Sequence, residues 1–386
     1  MQLPMHLADD FRDPLLAERL LATLTRQLIP GRTYRLMEFC GGHTHALCHS
    51  GLLDRLPAAV QMIHGPGCPV CVLPIGRLQQ AIDLATERQV ILCSYGDMLR
   101  VPGRGRQSLL KARSAGADVR MVYGPADALV VARQHPQRQV VFLAVGFETT
   151  TPMTAAIVAQ ARAEGLHNFS ILCNHVLTPA ALRGLLATTE EQVHVDGFVG
   201  PGHVSTIIGS DAFAPLAAQY RKPIVIAGFE PIDLLSAILQ LVKQLNAGLS
   251  EIQNDFVRAV SPSGNQRAQA LISQVLELRE RFEWRGLGTI AHSALRLRPE
   301  YSDFDAEQRF SLSTPQIADH RACRCPEVLR GTCRPTDCTL FGTACTPDSP
   351  LGSCMVSPEG ACAAYFHSGR SRLQVLPNAP ASSPTA

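Results

Sequence analysis

The stretch that decides the fold is residues 140–165, VVFLAVGFETTTPMTAAIVAQARAEG, which passes from an apolar run through a turn into a helix-like stretch. The run is unbroken by polar residues up to Gly146, as expected of a strand buried on both faces. The same order recurs from Tyr34 to Glu230, with further runs YRLMEFC (34–40), VQMIHG (60–65), VILCSYG (90–96), VRMVYG (119–124), FSILCNH (169–175), VDGFVGPGH (195–203) and PIVIAGFE (223–230). Apolar strands alternating with amphipathic helices predict an α/β fold with parallel sheets covered on both faces.

These eight runs are expected to form two sheets, divided at residues 132–139, where ARQHPQRQ makes a polar break that contains proline. The triplet GFE stands at the end of two of the runs, at 146–148 and 228–230, and is a weak sign of an internal repeat. We therefore predict a first α/β domain over residues 30–135 and a second over residues 136–231.

The pattern changes after Pro231. Residues 232–248 and 265–282 carry apolar residues at spacings of three and four and are predicted to be helices. Residues 322–364 are rich in Cys, Pro and Gly and hold too little apolar material for a core of their own. A third domain, helical and Cys-rich, is therefore expected over residues 232–367, folded around a metal centre.

The two ends of the chain are predicted to differ in their degree of order. A helix within residues 1–29 is expected to pack on the third domain, whereas residues 368–386 are expected to be disordered. The N-terminal MQLPMHLADDFRDP lacks the basic and apolar regions of a signal peptide, which favours a cytoplasmic protein.

Composition narrows the function classes. Hydrophobic residues make up 46% and charged residues 18% of the 386, as in ordinary globular proteins. The formal charge is +2 without a long basic run, so no nucleic-acid partner is expected, and no apolar stretch approaches the roughly 18 residues of a membrane span. The 13 cysteines are an odd number, and in a reducing compartment they indicate metal binding or redox chemistry rather than disulfides.

The first motif is FCGGHTH, residues 39–45, directly after an apolar strand. In open parallel sheets ligands bind beyond the carboxyl ends of strands, and the two glycines allow close approach to Cys40. A thiolate there can be a nucleophile or a soft metal ligand, with His43 and His45 as further candidates. The alternative is a buried cysteine in a glycine turn.

The second motif is HGPGCPVC, residues 64–71. A C-x-x-C pair between a strand and a helix is typical of thiol–disulfide sites, because the helix N-terminus stabilises one thiolate. A redox pair of Cys68 and Cys71 is favoured over a shared metal ligand, and both over a purely structural role.

The third motif is the C-terminal group of seven cysteines, whose long and irregular intervals differ from paired zinc knuckles. Iron–sulfur clusters also take four thiolates and accept more varied spacing, while zinc remains the competing metal. The group comprises Cys323, Cys325, Cys333, Cys338, Cys345, Cys354 and Cys362.

Polar residues end several strands of the second half. Glu148, beside three threonines, is counted as a candidate catalytic residue, and the GPGH at 200–203 and GFEP at 228–231 occupy equivalent places. These segments are expected to line a cleft that faces the Cys40 loop. Because no G-x-x-x-x-G-K-[ST] or G-x-G-x-x-G follows a predicted strand, no nucleotide site is expected.

Together the motifs closely resemble the HypD family of hydrogenase maturation factors, from about Arg32 to Tyr365. The matching segments are FCGGHTH, HGPGCPVC, VGFETTTP, GFVGPGHVS, AGFEPIDLL, EWRGLG, CPEVLRG, CTLFG, CTP and CMVSPEGACAAY. The resemblance implies two α/β/α domains with parallel sheets and a third domain that holds a [4Fe–4S] cluster. It also implies an assembly scaffold for [NiFe]-hydrogenases, on which iron acquires cyanide and carbon monoxide as an Fe(CN)2(CO) unit.

The implied partners are HypC, which shares the iron, and HypE, which donates cyanide with HypF upstream. The hydrogenase large subunit is served indirectly. Carried over by position, Cys40 holds the iron with a HypC cysteine, and Cys68 and Cys71 form a redox pair linked to the cluster. The cluster ligands implied are Cys325, Cys338, Cys345 and Cys362, with Cys333 and Cys354 as substitutes and Cys323 and Cys48 as incidental cysteines. Pro326 stands where the family has glycine.

Two other functions remain open at this point. An iron–sulfur-dependent thiol–disulfide oxidoreductase would use Cys68, Cys71 and the cluster but gives Cys40 no task. A zinc-stabilised scaffold would have no redox chemistry at all.

Overall fold

The computed structural model describes residues 11–189 and 194–373, and its strands follow the apolar runs of the sequence. In chain order they are β1 (Tyr34–Glu38), β2 (Val60–His64), β3 (Ile91–Ser94), β4 (Val119–Met121), β5 (Val140–Gly146), β6 (Phe169–His175), β7 (Gly197–Pro201), β8 (Ile224–Ala227), β9 (Ile252–Asn254), β10 (Leu276–Trp284) and β11 (Gly288–Leu297).

Helices connect these strands, and several begin with proline in the first turn, where its missing N–H costs nothing. They are α1 (Pro14–Gln27), α2 (Gly41–His49), α3 (Leu52–Arg55), α4 (Pro69–Val72), α5 (Ile75–Thr86), α6 (Leu109–Ser114), α7 (Pro125–Gln134), α8 (Thr151–Ala163), α9 (Thr178–Thr189), α10 (Gly202–Ile208), α11 (Ala214–Tyr220), α12 (Pro231–Ala247), α13 (Gln266–Val275), α14 (Ala306–Arg309), α15 (Cys325–Arg330) and α16 (Ala361–Leu373).

Two parallel sheets carry the fold, which confirms the predicted α/β class. The first has the order β2-β1-β7-β8-β9 and the second β4-β3-β5-β6. Every residue of β5 and β6 is buried, as expected of parallel strands covered on both faces.

The boundary between the sheets is not where we expected it. Residues 132–139 lead from α7 to β5 inside the second sheet, since β5 pairs with β3 through Ile91 and Val140. The chain leaves the first sheet after β2, builds the second with β3 to β6, and returns at β7 beside β1. Division into 30–135 and 136–231 is therefore wrong as a division of the sheets. Buried parallel strands are all similar apolar runs, so local sequence does not reveal which sheet each one joins.

Part of the expected third domain also belongs to the first sheet. Helix α12 packs on β7, β8 and α1, and β9 is the sheet's last strand. The N-terminal helix α1 is thus held against the first sheet through α12.

The helix expected over 265–282 ends at Val275, where the chain turns into an antiparallel hairpin of β10 and β11. Leu276, Phe282 and Trp284 are the buried positions of β10. The LELRER segment contains good helix formers, but pairing with β11 and packing of β11 on β6 override that preference.

The Cys-rich segment consists mainly of turns, with α15 and 3-10 turns at Pro335–Asp337 and Ser353–Met355. Helix α16 runs to Leu373, so residues 368–373 are helical rather than disordered, and the rest of that predicted tail lies outside the described residues. Among the described helices, none combines the length and apolarity needed to cross a bilayer.

Candidate functional site

Cys40 stands at the end of β1 and is the N-cap of α2. The Gly41 N–H donates to the Gly67 carbonyl at 2.9 Å, in the turn that precedes Cys68. A Cβ on Gly67 would lie 2.5 Å from the Cys40 nitrogen, so only glycine lets the two turns approach this closely. The Cys40 and Cys68 motifs are therefore parts of one site.

Cys40 lines a cavity of about 480 Å³ between the carboxyl ends of the two sheets. The other lining residues come from the strand ends of both sheets and from the segment before α16. They include Phe39, Gly67, Tyr95, Met121, Tyr123, Phe147, Thr149, Thr150, Pro201, His203 and Glu359. The 146–150 and 200–203 segments thus face the Cys40 loop, as the sequence predicted.

The cavity keeps the Cys40 thiol protonated at neutral pH. Its side chain is 7% exposed, and burial, followed by the Glu359 carboxylate, raises its pKa to about 12. Hydrogen bonds from the Gly42 and His43 backbone act in the opposite direction. A bound cation would replace the proton, because a metal ion deprotonates a coordinating thiol.

A buried hydrogen-bond network stabilises the Cys40 turn. It was not predicted from the sequence. Glu38 accepts from the Cys40 N–H at 3.1 Å and from the Thr44 hydroxyl. His64 lies with its Nδ1 2.6 Å from Glu38 and its Nε2 2.9 Å from the Tyr365 hydroxyl. The available signal was a glutamate at the end of β1, two residues before Cys40, because a carboxylate that is buried must find partners.

The two predicted histidines do not line the cavity. His43 is fully buried with Nε2 3.1 Å from the Ala227 carbonyl, and burial lowers its pKa to about 4. His45 is exposed and stacks on His49, with ring centroids 5.6 Å apart. The histidine that reaches the cavity is His203 of the GPGH segment.

Cys68 and Cys71 lie at the start of α4, and both are buried. The Cys68 sulfur accepts from the Cys71 N–H at 3.3 Å, as an N-cap. Burial opposes ionisation of Cys71, but hydrogen bonds from the Cys354 and Cys68 thiols outweigh it and lower the pKa of Cys71 to about 7. Burial raises the pKa of Cys68 well above its ordinary value. This asymmetry suits a pair in which one thiol attacks and the other resolves.

The Cys68 turn is joined directly to the C-terminal cysteines. Cys354 forms hydrogen bonds with Cys325, Cys362 and Cys71. Ser353 adds a second link, since its hydroxyl donates to the Cys71 carbonyl at 2.9 Å and lies 3.6 Å from the Cys325 sulfur. Cys354 therefore lies between the C-x-x-C pair and the other sulfurs.

Six of the seven C-terminal cysteines line one apolar cavity. All four predicted cluster ligands are among them, together with the substitute Cys354 and the supposedly incidental Cys323. The substitute Cys333 is absent from that lining and bonds the Arg334 carbonyl at 3.2 Å in another pocket. None of the thirteen cysteines, all of which lie in the described part of the chain, forms a disulfide.

These six thiols are candidate donors for a metal centre. Within residues 11–189 and 194–373, no three His, Cys, Asp or Glu side chains are grouped closely enough to hold a metal ion. Thiols around a shared cavity are the donors that iron–sulfur clusters take.

Glu148 caps a helix rather than lining the cavity. It accepts from the Thr178 N–H and hydroxyl, both at 2.8 Å, and is 3% exposed. Burial raises its pKa to about 7. Two carboxylates do line the cavity, Asp97 and Glu359. Glu359 acts on the Cys40 thiol and lies in the SPEGAC segment, to which the sequence analysis assigned no role.

Comparison with known proteins adds the family context. The family model HypD, described as the hydrogenase formation hypA family, matches residues 15–369. The chain is 58% identical over 375 residues to a hydrogenase maturation factor HypD of Azotobacter vinelandii, covering 96% of this chain and 99% of that protein. It is 55% identical over 375 residues to the Rhizobium leguminosarum bv. viciae factor (96% and 97% covered) and 45% over 367 residues to that of Escherichia coli K12 (94% and 98%).

Proposed function

Since the chain belongs to the HypD family, we propose that it is a [NiFe]-hydrogenase maturation factor on which, together with HypC, the Fe(CN)2(CO) unit is assembled. HypE is the proposed cyanide donor, with HypF upstream and the hydrogenase large subunit served indirectly. The observation that carries the proposal is the Cys40 thiol in a cavity bounded by both sheets, directly against the C-x-x-C turn. The proposed compartment is the cytoplasm, where these thiols stay reduced.

Cys40 is the proposed anchor for the iron cargo. A low-spin iron that carries cyanide and carbonyl favours soft thiolate donors. The high pKa of Cys40 keeps the thiol protonated until iron displaces the proton. The cavity leaves room beside Cys40 for a partner's cysteine to complete the coordination.

Cys68 and Cys71 are the proposed source of two electrons for cyanide transfer. When a thiocyanate on the donor gives up cyanide, the S–C bond breaks and cyanide keeps the electron pair. The donor sulfur then needs two electrons and one proton to become a thiol. The dithiol supplies them by forming an S–S bond, and its second proton leaves to solvent. The lowered pKa of Cys71 supports its role as the attacking thiol.

The cysteine-lined cavity fits the [4Fe–4S] cluster that the family implies, because its donors are thiols in an apolar shell. Cys325, Cys338, Cys345 and Cys362 are the proposed ligands. When bound, the cluster supplies one-electron redox chemistry. Cys354, hydrogen-bonded to both Cys71 and Cys362, is the contact through which we expect the pair and the cavity to communicate.

The test is anaerobic purification with co-expressed HypC, followed by metal analysis and infrared spectroscopy in the cyanide and carbonyl stretching region. We expect cluster iron plus an additional iron with cyanide and carbonyl bands, lost in Cys40→Ala. Cys93→Ala is the matched control, because Cys93 is also buried but lies in β3, outside the cavity lining. Bands that persist in Cys40→Ala would contradict the scaffold, and zinc in place of iron would contradict the cluster as well.

A second candidate, a cluster-dependent thiol–disulfide oxidoreductase, is favoured by the asymmetric Cys68–Cys71 pair alone. It predicts a cluster without cyanide or carbonyl bands in the HypC complex, together with reduction of an unrelated protein disulfide. It leaves the Cys40 cavity without a task.

A further inference from the structure

Arg285 begins the turn of the β10–β11 hairpin and is attached to the redox turn. Its backbone N–H donates to the carbonyl of Val72, the residue after Cys71, at 2.8 Å. The side chain is only 2% exposed. A permanent positive charge is therefore buried next to the Cys68–Cys71 turn.

The guanidinium has donors that nothing in the described residues satisfies. Its Nε and Nη1 have no hydrogen-bond partner there. Asp319 lies with Oδ1 3.2 Å from Nε, close enough for an ion pair but outside hydrogen-bond alignment, and its own side chain is 26% exposed. Buried charged donors are normally satisfied, so unused ones indicate a ligand that the resting thiols do not provide.

Besides Asp319, two sulfur atoms lie within electrostatic range of this charge. Arg285 interacts electrostatically with both Cys71 and Cys325. Arg324 lines the sulfur cavity too, but its side chain is 43% exposed and water screens its charge. Arg285 is thus a buried cation beside the sulfurs, and water does not screen its charge.

We propose that Arg285 is a positioning residue for the redox pair, a buried cation whose free N–H donors stabilise the reduced, anionic sulfur of Cys71 and so favour the dithiol over the disulfide. The inference rests on the redox role given to Cys68 and Cys71 under the proposed function. It gives the EWRGLG segment, which contains Arg285, a function beyond the packing of the hairpin.

The equilibrium concerned is exchange with a small dithiol such as dithiothreitol. The S–S bond between Cys68 and Cys71 breaks as an S–S bond forms in the reductant. Two electrons and one proton pass to the protein, which leaves Cys68 as a thiol and Cys71 as a thiolate, and the reductant's second proton goes to solvent. A cation that stabilises sulfur anion shifts this equilibrium towards the reduced protein. Removing the charge should therefore favour the disulfide.

The experiment equilibrates the anaerobic full-length protein in buffers of reduced and oxidised dithiothreitol, followed by alkylation and mass spectrometry. The tryptic peptide of residues 56–77 contains Cys68 and Cys71 and no other cysteine, so the pair is read separately. We expect Arg285→Met to shift the exchange constant about tenfold towards disulfide, which for a two-electron couple is about 30 mV. Arg285→Lys retains the charge and should remain closer to wild type than to Arg285→Met.

Two further variants separate charge from structure. Asp319→Asn removes the carboxylate that faces Arg285 and should shift the pair in the opposite direction, towards dithiol. Arg296→Gln, which removes an exposed guanidinium from strand β11 of the same hairpin, should leave the equilibrium unchanged. Because Asp319 is partly exposed, its variant keeps the inference testable even if Arg285→Met does not fold.

The inference is overturned if Arg285→Met stays within twofold of wild type, if Arg285→Lys shifts as far as Arg285→Met, or if Asp319→Asn gives no shift or one towards disulfide. A wild-type pair that forms no disulfide at any buffer ratio would overturn the redox assignment itself, and this inference with it.

Discussion

Glu307→Gln should destabilise the protein by about 3 kcal/mol at neutral pH. Glu307 in α14 joins two arginines, since its Oε1 lies 2.7 Å from Arg77 and 2.5 Å from Arg279. Burial opposes its ionisation, but the hydrogen bonds and charges of Arg77 and Arg279 outweigh that effect and lower its pKa from 4.5 to about 2. At about 1.4 kcal/mol per pKa unit, this difference corresponds to about 3 kcal/mol of stability.

The mutation also leaves a buried cation without its counter-charge. Arg77 is 4% exposed, and in the variant it keeps only its bonds to the Asn174 side chain at 2.6 Å and the Cys173 carbonyl at 2.9 Å. Breaking one side of a buried ion pair costs about 3–5 kcal/mol, which agrees with the value from the pKa.

The direction of the pH dependence follows from the lowered pKa of Glu307. Because the pKa of Glu307 is lower in the folded state, its contribution is complete above pH 4.5 and is lost as the pH falls towards 2. The difference between wild type and Glu307→Gln should therefore shrink by about 2 kcal/mol between pH 7 and pH 3.

Urea unfolding followed by Trp284 fluorescence is the assay, because this is the chain's one tryptophan and is 1% exposed, on the same strand as Arg279. Glu164→Gln, which breaks an exposed pair with Arg133, is the control and should leave the midpoint unchanged. A loss below 1 kcal/mol for Glu307→Gln at pH 7, or a difference that grows on acidification, would refute the reasoning.

Three further predictions concern the site. Gly67→Ala should disrupt the Cys40 turn and abolish iron loading, because its Cβ would meet the Cys40 backbone. Gly124→Ala is the control and should load iron normally in the same metal assay, because a Cβ there meets open space. Cys345→Ser should lower cluster iron content and Cys333→Ser should not, because only Cys345 lines the sulfur cavity; equal losses would contradict the ligand proposal. Glu148 binds its proton more tightly in the folded protein, so its contribution to stability is complete below pH 4.5 and is lost as the pH rises through about 7. The urea midpoint of the wild type should therefore fall over this pH range, and that of Glu148→Gln should lack this decline.

The position of a candidate site residue could be predicted where it follows from the residue's immediate neighbours. Cys40 after a strand, and Cys68 and Cys71 at a helix start, lie where their flanking residues predict. The sequence did not predict the direction of the side chain of His45, which lies on the exposed side of α2, or of Glu148, which caps α9. In both cases the strand–turn–helix context was correct, but the direction of the side chain depends on packing with other elements.

The sequence by itself determined the local units of this protein, because a strand's apolar run, a glycine turn and a proline-started helix are each encoded within a few neighbouring residues. Only the tertiary structure decided that β7 returns beside β1, that residues 276–284 form a strand, and that Cys323 joins the sulfur cavity while Cys333 does not. It also brought Glu359 to Cys40 and Arg285 to Cys71. Such pairings join residues far apart in the chain, and they depend on shape and charge complementarity that no local pattern contains.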